Sequence, residues 1–177
     1  MLKNYFKGVI LISDHFEIFM CPGCKGKLVF FDKHVKCEDC NHYFPIENGI
    51  PLLFWPPEEN KFVDSITYKV KKFYEETPFP NYEGFETIAD LIDKAKTGKF
   101  ANSLSECIPF NIRVLEVGCG TGQLSNFLGI HQRFVFGTDM SFNSLKLGQS
   151  FKIRNSLKRV QFYQMNLFNP IFKDESF

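Results

Sequence analysis

The sequence has little net charge, no long apolar run, no internal repeat and no low-complexity tract. In 177 residues, 21 Lys and Arg stand against 20 Asp and Glu, a formal net charge of +1. A chain this close to neutral gives no general argument for nucleic acid or an anionic membrane as partner. The apolar stretch Val9–Ile12, ended by Asp14, falls short of a signal core of roughly 7–15 residues and a spanning helix of roughly 20. The expectation is a cytoplasmic protein with no membrane partner. Apolar residues make up 44% and charged residues 23%, near the globular averages of about 45–50% and about 25%. That excludes a disordered tail, a collagen-like repeat and a disulfide-dense scaffold.

What is abundant is phenylalanine, with 22 residues. Each Phe buries a large apolar surface, so even small units can build a core. Charge is uneven. Residues 107–177 hold eight basic and four acidic side chains, a local +4. A solvated basic face explains this as well as a polyanion site does.

Four of the six cysteines form two pairs, Cys21-Pro-Gly-Cys24 and Cys37-Glu-Asp-Cys40, with twelve residues between them. Zinc takes four ligands near a tetrahedron, and two thiolates on one tight turn supply half of it. Pro22-Gly23 suits such a turn. Leu28–Phe31 and His34–Lys36 read as hairpin strands around Asp32-Lys33. The alternatives are two disulfides in a secreted module, or redox pairs. No signal peptide supports the first, and neither pair sits in a βαβ pattern. His42 is an alternative ligand to Cys40. Cys107 and Cys119 stand alone and read as buried small residues.

The flanks of the cysteines carry more. Cys21-Pro-x-Cys24-x-Gly26-x-Leu28 and Phe44-Pro-Ile-Glu-Asn-Gly-Ile-Pro-Leu-Leu53 resemble the small zinc-ribbon activators that partner methyltransferases acting on tRNA and translation factors. The resemblance covers about residues 16–56. It implies protein docking and support of a methyltransferase rather than chemistry.

Trp55-Pro56-Pro57-Glu58-Glu59-Asn60 reads as a boundary, because two prolines stop a strand. Val63, Ile66, Val70, Phe73 and Tyr74 recur at helical spacing through Glu76. Thr77–Tyr82 is an aromatic-proline loop. Phe85 to about Ile108 reads as one or two helices, with Ile88, Leu91, Ile92 and Ala95 on one face. Tyr74, Phe79 and Tyr82 are candidates either for a pocket wall or for loop packing.

Ile112–Val117 is a buried-strand pattern that runs into Gly118-Cys119-Gly120-Thr121-Gly122, followed by helix-spaced Leu124, Phe127 and Leu128. Strand, glycine turn and helix open a nucleotide-binding α/β unit. The dinucleotide fingerprint needs Gly at 123, where Gln stands, and no Lys makes a phosphate loop. Glu116 suits an ammonium group better than a phosphate. Asp139 ends a second strand, Phe134–Thr138, where a carboxylate can accept both ribose hydroxyls. Ser141 caps a helix to about Ile153, and Val160–Met165 is a third strand.

This constellation resembles the class I S-adenosylmethionine-dependent methyltransferases, on Leu115-Glu-Val-Gly-Cys-Gly-Thr-Gly122 and Asp139. The resemblance implies S-adenosylmethionine as cofactor. It implies that the loop Gly118, Cys119, Gly120, Thr121 and Gly122 cradles the methionine part, and that Glu116 serves its amino group. Asp139 with Met140 then takes the ribose, and Asn166 with Leu167 the adenine. Asn166 departs from the usual Asp.

The expected organisation is a zinc ribbon at 16–56, a linker and helical segment at 57–108, and the front of a methyltransferase domain at 109–177. The fold class is α/β, with about three parallel strands of a Rossmann-like sheet. Members of the family have seven strands, so the chain reads as the front of a longer enzyme. Its catalytic residues are then expected beyond Phe177, and the chain alone is expected to be inactive. Arg113–Val117 is expected to form an open sheet edge prone to self-association. Loss of one thiolate is expected to unfold 16–56 and leave the rest largely intact. The methyl acceptor is open: RNA, protein or a small molecule. A ribbon before a methyltransferase also resembles the ribosomal RNA guanine methyltransferases. The competing reading is a non-catalytic docking module, and the downstream reading frame discriminates the two.

Overall fold

The computed structural model describes residues 13–56 and 65–177. The apolar run Val9–Ile12 and, in the linker, residues 57–60 and Val63 lie outside the described residues. After a short 3₁₀ helix, Ser13–Ile18, come β1 (Leu28–Phe30), β2 (His34–Cys37), β3 (Tyr43–Glu47) and β4 (Ile50–Pro51), in one antiparallel sheet of that order. The register pairs Leu28 with Cys37 and Phe30 with Val35, so the hairpin turns at Asp32-Lys33 as the sequence predicts. Alternation turns Val35 and Cys37 inward on β2.

Three helices follow: α1 (Ser65–Glu76), α2 (Ile88–Thr97) and α3 (Lys99–Cys107). Thr87 and Asp90 form a reciprocal capping box at the start of α2, and Gly98 separates α2 from α3. Leu91 and Ala95 are buried on α2, as their spacing predicts. On α1 the apolar stripe does not decide the facing. Ile66, Val70 and Phe73 are exposed, and Lys71 is buried. The helix is held instead by Glu75, whose carboxylate accepts from the backbone N–H groups of Phe142 and Asn143, both at 2.8 Å. Arg133 ties down the end of α3, donating to the Ser105 hydroxyl at 3.0 Å and to the carbonyls of Ser105 and Ile108.

The last part alternates β5 (Arg113–Val117), α4 (Gln123–Ile130), β6 (Phe134–Asp139), α5 (Phe142–Arg154) and β7 (Val160–Gln164). The strands are parallel in the order β5-β6-β7. This is the partial Rossmann-like sheet that the sequence predicts. β5 is an edge among the described strands.

The opposite edge is occupied. Leu52 makes a parallel bridge to Gln164, and the Leu53 amide donates to the Gln164 carbonyl at 3.0 Å. Phe19 bridges Phe172, with Met20 donating to Ile171 and Lys173 to Ile18, both at 2.8 Å. One apolar cluster therefore runs from the ribbon (Phe19, Phe30, Val35, Phe44) onto one face of the sheet (Phe136, Tyr163) and onto Phe172. The other face packs on α2, α4 and α5 through Leu91, Phe127, Leu145 and Phe151. Among the described residues no helix is long and apolar enough to cross a membrane.

Candidate functional site

The four paired cysteines converge. All four Sγ atoms lie within 4.8 Å of one another, with Cys24–Cys37 at 3.4 Å and Cys21–Cys40 at 3.8 Å. A zinc tetrahedron with bonds of about 2.3 Å has edges of about 3.8 Å, so the cluster fits a zinc ribbon. Each knuckle turns through a left-handed residue, Lys25 (φ 64°) in the first and Asn41 (φ 58°) just after the second. A Cβ on Gly26 would lie 2.1 Å from the Asp39 carboxylate, so the two knuckles pack closely here. The Gly26 backbone N–H pulls the Cys24 thiol down to about 7, while burial pushes Cys21 up to about 12. A bare thiolate at Cys21 is costly, and a cation is the natural compensation. His42 does not join the thiols. Its ring sits edge-on to Phe44 and Trp55, at 4.6 and 5.1 Å. Of the lone cysteines, Cys119 is buried as expected. Cys107 is exposed, which corrects the sequence reading: α3 buries none of its residues fully.

A cleft of about 490 Å³ opens at the C-terminal ends of the parallel strands, the place where open α/β sheets bind ligands. Its floor is the glycine turn after β5. Gly120 (φ 54°) lies under the Phe79 carbonyl, and an added Cβ would meet that oxygen at 2.7 Å. Gly122 (φ 71°) opens α4 and presses on the Phe162 ring. Asp139 closes the side. Its carboxylate accepts from the N–H of Gly120 at 2.9 Å and of Ser141 at 2.8 Å. A carboxylate offers about four acceptor positions, so acceptor capacity remains for a ligand. Burial raises the Asp139 pKa above its ordinary value, and these amides oppose the rise.

Of the residues that the sequence singled out, the cleft brings together Gly118, Cys119, Gly120, Asp139, Met140 and Leu167. Four others lie elsewhere. Thr121 is fully buried and donates to the Pro80 carbonyl at 2.5 Å. Gly122 is spent on the helix start. The Asn166 side chain is buried and bonded to backbone. Glu116 faces α4, where the Ser125 hydroxyl donates to it, and lines a second cleft of about 340 Å³ between α2, α3 and α4. Burial pushes Glu116 up to about 7.

The aromatic candidates divide. Tyr74 and Phe79 line the first cleft, while Tyr82 stacks on Phe151 at 5.0 Å and packs the loop. Thr138, Ser144 and Met165 line the cleft without having been singled out. Their places at the ends of β6 and β7 and in the first turn of α5 are the signal that would have found them.

Residues 114–177 match the family described as Methyltransferase domain. No curated protein matches the chain. A TehB-like SAM-dependent methyltransferase from Corynebacterium glutamicum is 17% identical, over 45% of this chain and 46% of that chain, with a TM-score of 0.34. Magnesium protoporphyrin IX methyltransferase from Synechocystis PCC 6803, solved with bound SAH, is 16% identical, over 56% of this chain and 51% of that chain, with a TM-score of 0.41. The chain spans about half the length of these solved structures.

Proposed function

We propose that this chain carries the cofactor-binding part of an S-adenosylmethionine-dependent methyltransferase, joined to a structural zinc ribbon. The observation that carries the reading is the glycine turn after β5, tied to Asp139 through the Gly120 N–H and lining with it one open cleft, inside the segment that matches the Methyltransferase domain family. When bound, the cofactor supplies an electrophilic methyl group. The chain's own residues bind and orient. The backbone at Gly118, with nothing within 4 Å of where a Cβ would stand, lets a ligand approach the main chain closely. Asp139 offers its spare acceptor positions to vicinal hydroxyls. Tyr74, Phe79, Met165 and Leu167 supply apolar walls to the cleft.

In this reading Cys21, Cys24, Cys37 and Cys40 hold zinc as a closed site, since four thiolates leave no open position. A site that needs four thiolates suits a reducing compartment, and we place the protein in the cytoplasm. Its acceptor is an RNA, a protein or a small molecule, and two copies can pair along the β5 edge.

Titration calorimetry with S-adenosylhomocysteine and with NAD tests the reading. We expect S-adenosylhomocysteine to bind. Asp139→Ala should weaken it by on the order of 1.5–3 kcal/mol, the worth of hydrogen bonds to a charged group. Binding of NAD alone overturns the assignment. A labelled-methyl assay over RNA, protein and small-molecule acceptors should show no transfer by this chain alone, and sustained turnover overturns that expectation. The downstream reading frame, not the absence of transfer, separates the cofactor-binding part of an enzyme from a docking module.

A further inference from the structure

The metal ribbon and the cofactor cleft meet at one side chain. Asn166 is 4% exposed and sits between Met165 and Leu167, which both line the cleft. Its Nδ2 donates to the Trp55 carbonyl at 2.9 Å and to Asn169 Oδ1 at 3.2 Å, and its Oδ1 accepts from the Phe168 N–H at 3.1 Å. The Trp55 carbonyl only accepts and the Phe168 amide only donates, so both ends of the side-chain amide are required. A carboxylate at this position has no proton to give Trp55.

On its far side Trp55 belongs to the ribbon. Its indole lies so close to Gly23 that an added Cβ would come within 3.0 Å of the ring, and His42 packs edge-on at 5.1 Å. Gly23 is in the turn between the thiols Cys21 and Cys24. The contacts are continuous, from metal knuckle to indole to carbonyl to Asn166 to cleft wall.

We propose that Asn166 is a positioning residue that locks the wall of the cofactor cleft to the metal ribbon, so that metal and cofactor each strengthen the other's binding. The proposal rests on the cofactor reading above. With the knuckles closed on metal, Trp55 is held, its carbonyl is fixed, and the 165–168 turn is ordered before a ligand arrives. With the knuckles open, the ligand itself has to order that turn, and its affinity falls accordingly. Linkage makes the effect reciprocal: the factor by which metal strengthens the cofactor equals the factor by which the cofactor strengthens the metal. Trp55 is the single tryptophan of the chain, so its emission reports on this junction.

The test uses the whole chain. S-adenosylhomocysteine affinity is measured by calorimetry on zinc-loaded and zinc-depleted protein. Zinc affinity is measured by competition with a chromogenic chelator, with and without saturating S-adenosylhomocysteine. Trp55 emission is followed through the ligand titration. We expect the two affinity ratios to agree at about fivefold or more, the lower range of such couplings, and emission to track saturation. In Asn166→Asp both ratios should fall toward one while the zinc-loaded protein still binds ligand. Ratios in Asn166→Asp equal to those of the wild type move the coupling to the shared apolar core and overturn the assignment, with Asn166→Ala read in the same way if Asn166→Asp does not fold. Ligand binding that leaves zinc affinity and Trp55 emission unchanged refutes the lock and spares the cofactor reading. Absence of ligand binding by zinc-loaded protein overturns both.

Discussion

Glu116 and Gly122 show how much a single position decides. Burial raises the Glu116 pKa from 4.5 to about 7, against the smaller opposing effect of the Ser125 hydroxyl and N–H. The folded protein thus holds this proton more tightly than the unfolded chain. Its contribution to stability is full below pH 4.5, falls as the pH rises toward 7, and is then lost, a change on the order of 3 kcal/mol. Glu116→Gln should remove that fall. Urea denaturation is expected to show the variant more stable than wild type by about 1–3 kcal/mol at pH 8, with no gain at pH 4.5. The glycines separate in the same way. Gly122→Ala forces a methyl to within 2.3 Å of the Phe162 ring at φ 71° and should cost about 2–4 kcal/mol. Gly118→Ala, at φ 70° with nothing within 4 Å, should cost only about 1–2 kcal/mol. Equal losses in a thermal melt would show that Phe162 does not abut the turn. The four-thiol cluster was legible because chelation dictates such spacing. The direction of Glu116 was not. Strand alternation puts it on one side with Val114 and opposite Leu115, but parity alone does not say which side carries the helices.

Elements were legible where a local device defines them. Ser141 marks a helix start by capping chemistry, and α5 begins there. The caps Thr87 with Asp90 and Gly98, which bound α2, were not legible, and Phe85 to about Ile108 reads only as one or two helices. Helix α1 shows the limit. Its apolar periodicity gives a helix but not the docked side, because the contact that holds it is polar and lies 67 residues ahead in the chain, at Phe142. Glu75 satisfies two amide donors at the start of α5, and its own neighbour Tyr74 walls the cleft. Glu75→Ala should therefore cost about 1–2 kcal/mol in a thermal melt, the worth of a good N-terminal cap. It should also weaken S-adenosylhomocysteine binding, since Tyr74 loses its anchor. Glu75→Gln, which keeps one acceptor oxygen, should recover part of both losses. An unchanged melting point in Glu75→Ala would detach α1 from the site.

At the scale of the whole molecule, the shared apolar cluster changes what opening the four-cysteine cluster does. Cysteine spacing alone suggests a ribbon that unfolds by itself. The cluster that contains Cys21 and Cys37 also contains Phe136, Tyr163 and Phe172, so opening the ribbon strips one face of the sheet. Cys37→Ser should thus lower the stability of the whole chain, in one transition. Trp55 emission, which reports the ribbon, and far-ultraviolet dichroism, which reports the helices, are expected to change together along a denaturant series. Two separate midpoints would restore the independent ribbon. This union was not legible because the alternation in short ribbon strands says that a face is buried, not against what.

The pairing of Leu52 with Gln164 also sets a timetable for biosynthesis. A chain made at about 5–20 residues per second delivers Gln164 on the order of 10 seconds after Leu52. Through that interval the nascent ribbon can close on metal, but Phe19, Phe44 and Leu53 have no sheet to cover them. The ribbon is completed as a sticky half-product, and β7 is the strand that covers it.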